Sequence, residues 1–227
     1  MMKVLLSIIV AVSLGYFLGS CNFSIIFVKI MTGKDIREMG SKNAGLTNTY
    51  RCAGKTCALL TLLGDVLKSV LAVYIAFWFC SMMKAGMKPD NDVQYIGYFA
   101  GIGAVLGHIF PIYYGFKGGK GVLAGAAAFL VVDLKVFIAI LAIFVVILYI
   151  SKYVSLASIF ASVYCPVAVF CMSYIVEGYS VGMSVLYFIL SLPMVALIVW
   201  RHKPNIDRLL DGTESKFSFN VNNITQK

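Results

Sequence analysis

The sequence predicts an all-α integral membrane protein: a single bundle of seven transmembrane helices, with the N-terminus outside and the C-terminus in the cytoplasm. Three observations predict it. Of 227 residues, 60% are apolar and 13% charged, whereas soluble domains carry about a quarter charged residues. The apolar residues gather in runs of the ~20 residues needed to cross ~30 Å of hydrocarbon. The basic residues fall unevenly between those runs, and that bias sets orientation.

In chain order the clear runs are 4–30, 56–79, 93–114, 154–176 and 181–200. The stretch 121–150 is too long for one span and carries "DLK" at Asp133 to Lys135, so it reads as two shorter spans, 121–132 and 136–150, meeting in a turn. The linkers "KAGMKPDND" and "EGY" read as tight external turns, and 201–227 as a cytoplasmic tail. Lipid leaves backbone groups no partner but the chain itself, so helices throughout are required. One transmembrane domain, 1–227, accounts for the chain, and no soluble domain is evident.

With seven spans, one side holds Lys29, Lys34, Arg37, Lys42, Arg51, Lys55, Lys117, Lys120, Lys152, Arg201, Lys203, Arg208, Lys216 and Lys227. The other holds Lys3, Lys84, Lys88 and Lys135, with Lys68 inside a span. The positive-inside rule puts the richer side in the cytoplasm, which in a bacterial cell makes the inner membrane the expected location.

The net charge of +9 is spread over short loops beside lipid, so anionic headgroups and small phosphorylated solutes are expected partners and nucleic acid is not. "LGSC" at Leu18 to Cys21 matches a lipoprotein cleavage site, but Phe23 to Met31 stays apolar where a lipoprotein would continue into a polar tether. The six cysteines form no C-x-x-C pair, so neither a metal site nor a disulfide framework is indicated and reduced packing residues are expected. No cofactor is expected, and a monomer is.

Four polar blocks fall on the cytoplasmic side: "DIREMGSKNAGLTNTYR" (Asp35 to Arg51), "GFKGGKG" (Gly115 to Gly121), "SKYVSL" (Ser151 to Leu156) and "RHKPNIDRLLDGTE" (Arg201 to Glu214). In the first, Ser41, Asn43, Thr47 and Asn48 are short donors and acceptors, and Arg51 supplies a planar fork suited to phosphate. In the second, Gly118 and Gly119 let backbone approach an anion while Lys120 adds a point charge. It is not a Walker A loop, because Tyr114 and Gly121 stand where Gly and Ser or Thr belong. In the tail, His202 and Asn205 follow Trp200, and Arg208 and Glu214 come at spacings compatible with a helix along the interface. His202 and Asp207 have an H-x-x-x-x-D spacing, but five residues on a helix lie roughly 140° apart, so the pair would not face each other. Within the spans, Asp65 and Lys68 form an i, i+3 pair and His108 precedes Pro111. Intramembrane charges are functional suspects by default, although mutual neutralisation and bracing of the loops is the expected role here. Gly97, Gly101, Gly103 and Gly107 suit close helix packing.

Together, "DIREMGSKNAGLTNTYR", "DVLK", "GHIFPIYYGFKGGKG", "YVSL" and "RHKPNIDRLLDGTE", in that order, resemble the bacterial acyl-phosphate:glycerol-3-phosphate acyltransferases, the PlsY family. The resemblance implies a seven-helix membrane enzyme with a cytoplasmic-face site. Its expected reaction moves a fatty acyl group from acyl phosphate to the 1-hydroxyl of glycerol 3-phosphate, giving lysophosphatidic acid and phosphate for phospholipid biosynthesis. It places Ser41, Arg51, Lys120, His202 and Asn205 around the substrates. Of these, Ser41, Lys120, His202 and Asn205 are expected to be catalytic. Arg51, Asn43, Thr47, Asn48, Gly118, Gly119, Ser155 and Arg201 are expected to bind substrate, and Asp65, Lys68, His108 and Glu214 to support. Ser155 matches one of two adjacent family serines for the donor phosphate, the other being Val154 here. Lys42 and Ser69 replace family glycines, and the segment after Ser20 lacks a family proline.

With the acyl group already activated, direct attack by the acceptor hydroxyl is expected rather than an acyl-enzyme. The proton acceptor is the substrate's own phosphate or His202. The competing readings are a small multi-pass transporter or channel for a phosphorylated solute, which needs a polar path through both membrane halves, and a non-catalytic scaffold.

Overall fold

The structure is a computed structural model that describes residues 2–83 and 94–218. The expected external turn "KAGMKPDND" therefore lies outside the described residues, as does the tail beyond Ser218. The described chain is helical throughout: α1 (Met2–Ser20), α2 (Phe23–Thr32), α3 (Leu46–Met82), α4 (Gln94–Ile109), α5 (Val122–Val132), α6 (Leu134–Ser151), α7 (Val154–Cys171), α8 (Val181–Arg201) and α9 (Lys203–Leu210). A π-helical turn, Met172–Val176, extends α7.

Boundaries move where local chemistry intervenes. The first run breaks at Cys21 without a proline: Asn22 is extended, and its side chain accepts from the Ile25 N–H to start α2, a normal N-cap. The second run begins earlier than expected, because α3 reaches back to Leu46 across a kink at Gly54 (φ 80°). The "DLK" turn is present and shorter than expected. Asp133 alone ends α5 and starts α6, its carboxylate accepting from the N–H groups of Lys135 (2.9 Å) and Val136 (3.1 Å).

Among the described residues, six segments are long and apolar enough to cross a membrane: Met2–Thr32, Leu46–Met82, Gln94–Tyr114, Leu134–Ser151, Val154–Val176 and Val181–Arg201. The expected seventh, α5, has 11 residues, which rise only ~16 Å. Its far end is nevertheless level with the ends of its neighbours, since Gln94 Nε2 at the start of α4 donates to the Val132 carbonyl at 2.8 Å. From that level the 18 residues of α6 rise ~27 Å. The near end of α5, with Lys120 just before it, is therefore sunk roughly 10 Å deeper than Ser151.

Burial follows the membrane pattern. On α3, Leu59, Leu63, Leu67, Leu71, Tyr74 and Trp78 are exposed, while Thr61, Asp65, Lys68 and Ser69 are buried. Apolar surface faces outward and polar groups face in, as lipid demands. α1 and α4 pack backbone to backbone: a Cβ at Gly15, Gly19, Gly103 or Gly107 would fall on main-chain atoms of the opposite helix. Glycine is thus required for this crossing. All six cysteines are free thiols, and Cys57, Cys80 and Cys165 are buried.

Candidate active site

The first loop is organised by one side chain. Asn48 is buried; its amide donates to the carbonyls of Ile36 (3.3 Å), Met39 (2.9 Å) and Asn43 (3.1 Å), and its oxygen accepts from the Ser41 N–H at 3.0 Å. Asn48, expected to bind substrate, has its donors and acceptor engaged in holding the loop that presents Ser41. Lys42 has φ 57° and is exposed, so a left-handed backbone position that suits glycine carries a lysine. Lys42→Gly is expected to stabilise the protein by roughly 0.5–1 kcal/mol, with activity unchanged within twofold, read as a raised thermal midpoint in detergent.

The glycine loop is held from both sides. Gly118 N–H donates to the Ile109 carbonyl (3.2 Å) and Gly119 N–H to the His108 carbonyl (3.0 Å). A Cβ at either residue would strike the His108 backbone or ring. Gly118 and Gly119, expected to bind substrate through their backbone, serve close packing on the end of α4, and their N–H groups donate within the protein. Arg201 Nε donates to the Gly119 carbonyl at 3.3 Å. Arg201 and Gly118 line a separate polar cavity with Arg37 and Lys117. Arg37, which the sequence reading passed over, anchors this loop from its outer side by donating to the carbonyls of Tyr114 (2.7 Å) and Lys117 (3.3 Å).

The remaining expected residues converge. A cavity of about 860 Å³ is lined at one end by Ser41, Asn43, Thr47, Asn48, Arg51, Lys120, Ser155, His202, Asn205, Arg208 and Glu214. Its continuation between α5, α6, α7 and α8 is lined by Leu123, Leu130, Phe137, Ile140, Leu141, Phe144, Ala161 and Met194, among others. Four segments far apart in the chain thus build one polar mouth over one apolar slot. Asp65 and His108 also line this cavity. At the opposite end of the bundle, the described polar contacts include the surface pair Lys135–Glu177 (2.8 Å), the Asp133 cap and the Gln94–Val132 hydrogen bond.

Within the mouth, Lys120 Nζ donates to Asn205 Oδ1 at 2.6 Å. Burial pushes the Lys120 ammonium down to about 8, with nearby Arg208, Arg201 and Arg51 adding to the effect of burial against the opposing pull of Glu214. Asn205 Nδ2 donates to Glu214 Oε1 (2.7 Å), as does Ser155 Oγ (2.6 Å), while Arg208 Nε donates to Oε2 (2.6 Å). Burial works against ionisation of Glu214, but the hydrogen bonds from Ser155, Asn205 and Arg208 outweigh it and hold the carboxyl below its usual range. Glu214 does not sit on the tail helix as its spacing suggested. α9 stops at Leu210, and Gly212 (φ 68°) reverses the chain. The N–H groups of Thr213 and Glu214 then both donate to the Arg208 carbonyl, a glycine-dependent helix end.

His202 is 2% exposed, and its Nδ1 lies 2.8 Å from the Ile198 carbonyl. A carbonyl only accepts, so Nδ1 carries the proton and Nε2 is left as the acceptor. Burial, reinforced by the Lys120 charge, lowers this ring to about 4, so it is neutral near pH 7. Asp207 is turned away and meets Lys203 at 3.5 Å, both exposed. Asp207→Asn is accordingly expected to change kcat less than threefold. A loss near 10⁴-fold would instead indicate an orienting His–Asp pair.

A recessed mouth rich in cations over an apolar slot defines an integral membrane protein built to handle a molecule with an anionic head and an apolar tail. A family model described as glycerol-3-phosphate acyltransferase matches residues 9–212. The chain is 38% identical over 203 residues to the glycerol-3-phosphate acyltransferase of Syntrophomonas wolfei, covering 89% of this chain and 93% of the relative. It is 38% identical over 215 residues to that of Clostridioides difficile, covering 95% and 97%. A crystal structure of PlsY (YgiH), an integral membrane glycerol 3-phosphate acyltransferase, in its glycerol 3-phosphate form, superposes with a TM-score of 0.77 at 33% identity. That match covers 97% of this chain and all of the other. Its lysophosphatidic acid form gives 0.73 at 30%. The chain belongs to the glycerol-3-phosphate acyltransferase family, that of PlsY.

Proposed function

We propose that this protein transfers a fatty acyl group from acyl phosphate to the 1-hydroxyl of glycerol 3-phosphate, releasing lysophosphatidic acid and inorganic phosphate. The observation that carries this reading is the single cavity joining Ser41, Arg51, Lys120, Ser155, His202 and Asn205 to an apolar slot. Both reactants carry phosphate and the donor carries a tail, so one wet end and one dry end suit them together. The four blocks then face the cytoplasm and the N-terminus faces outside, in the sense set by the lysine and arginine bias; the enzyme acts as a monomer at the bacterial inner membrane.

In the transfer, the acceptor hydroxyl oxygen adds to the acyl carbonyl carbon and the carbonyl π pair moves to oxygen. Collapse of that oxyanion breaks the bond to the phosphate oxygen, which leaves with the electron pair. Arg51 and Lys120 offset the charge of the two phosphates, with Ser41 and Asn43 orienting the acceptor. The leaving phosphate or the acceptor's own phosphate takes the hydroxyl proton in preference to His202, whose ring at about 4 is a weak base. Purified protein given radiolabelled glycerol 3-phosphate is expected to make labelled lysophosphatidate with palmitoyl phosphate and not with palmitoyl-CoA. Label incorporated from the thioester alone would overturn the donor assignment.

A further inference from the structure

Beneath Gly119 three titratable side chains meet: Asp65 and Lys68 from α3 and His108 from α4, none more than 4% exposed. Lys68 Nζ lies 2.7 Å from Asp65 Oδ1, 2.8 Å from the Cys21 carbonyl and 3.0 Å from His108 Nδ1. Paired with Asp65, Lys68 is an ammonium, with protons to donate and no lone pair to accept with. His108 Nδ1 must therefore be the acceptor in that contact. Its distance to Asp65 Oδ1, 3.8 Å, is too long for a competing hydrogen bond. The ring then carries its one proton on Nε2, the tautomer opposite to that of His202.

Nε2 has no hydrogen-bond partner among the described residues. It lies beside Gly119, where a Cβ would fall on it, and His108 lines the main cavity. The same cavity is lined by Lys120, which follows Gly119 at the polar mouth, and by the apolar Leu62 and Val66 of α3 and Val122 at the start of α5. His108 therefore stands where the polar mouth gives way to the apolar slot. In an acyl phosphate the carbonyl is the group standing between phosphate and tail.

We propose that His108 is a catalytic residue: its neutral Nε2–H donates a hydrogen bond to the acyl carbonyl oxygen and holds it as it becomes an oxyanion. This rests on the function proposed above. The cations Arg51, Lys120 and Arg208 gather at the mouth, where the phosphates go, and the deeper position is left with a neutral donor suited to a carbonyl. Lys68 and Asp65 act through His108 as positioning residues, fixing its tautomer. A donor aimed at a developing oxyanion is worth about 10²–10³ in kcat.

Two measurements test this. Histidine-selective ¹⁵N NMR of the purified protein has only two side chains to report, His108 and His202. It is expected to show one ring protonated on Nε2 and the other on Nδ1, with His202→Gln removing the Nδ1-protonated signal. In the radiolabel assay His108→Phe is expected to lower kcat by about 10²–10³-fold with KM for both substrates within about threefold, as befits a contact made in the transition state. Folded His108→Phe with wild-type kcat, or a His108 ring protonated on Nδ1, would overturn the proposal. Should His108→Phe fail to fold, the spectrum decides. Wild-type protein inactive on palmitoyl phosphate would overturn the function proposed above, while the spectrum, which needs no substrate, still decides the donor assignment.

Discussion

Lys120→Ala is expected to lower kcat/KM for glycerol 3-phosphate by about 10²–10³-fold, near the cost of removing one preorganised donor from a buried anionic site. The expectation follows from depth as much as from charge. Because α5 is short, Lys120 is sunk below the end of α6, where water screens its charge little and its interaction with phosphate is correspondingly strong. The same burial pushes its ammonium down to about 8, which fixes the sign of a pH effect. The cationic form is required and is present below that value, so kcat/KM, which reports the free enzyme, is expected to fall as pH rises through about 8. Bound phosphates favour the cation, so kcat should fall only at higher pH. Lys120→Arg keeps a charge that does not titrate in this range and is expected to remove the alkaline limb, though with reduced activity because the fork cannot reproduce the contact to Asn205 Oδ1. Initial rates between pH 6 and 10 for the three proteins check this, and an unaltered alkaline limb in Lys120→Arg would rule Lys120 out as its origin.

Much of this site was legible in the sequence because membrane topology does the sorting. Once the apolar runs and the basic bias were read, the four polar blocks had to share a side, and the structure brings Ser41, Arg51, Lys120, Ser155, His202 and Asn205 onto one cavity. Which polar groups are free to meet a ligand was less legible. Gly118, Gly119 and Asn48 have the composition of an anion-binding loop, yet their hydrogen-bonding groups are used inside the protein, and residue type does not reveal which groups remain free. Arg37 and Arg208 look like ordinary basic loop residues until the carbonyls and the carboxylate they hold are seen. The shortness of α5 was legible, because "DLK" splits 121–150 into two shorter spans; how far its near end lies below that of α6 was not, because apolar runs carry no relative depth. The role of His108 needed a contact from another helix, at a sequence separation of 40 from Lys68.

Lys68→Met is expected to be the most destabilising single change considered, by roughly 3–5 kcal/mol, because it leaves the Asp65 carboxylate buried without its cation. Asp65 and Lys68 have side chains 1% and 2% exposed, so neither charge can turn to water once the other is gone. Lys68 also donates to the Cys21 carbonyl, at the end of α1. A cation there satisfies a carbonyl the helix leaves unpaired and complements the helix dipole. Removing both charges is expected to be milder: Lys68→Met with Asp65→Asn should recover more than half of the loss, since a buried pair broken on one side costs far more than a pair replaced outright. Unfolding in detergent, followed by tryptophan fluorescence and by loss of activity, separates the two variants. The double variant carries a second expectation. With no ammonium at Nδ1, His108 is free to take its proton on either nitrogen. A protein that regains stability should therefore still lose kcat, whereas a pair that serves only to hold helices together would regain both.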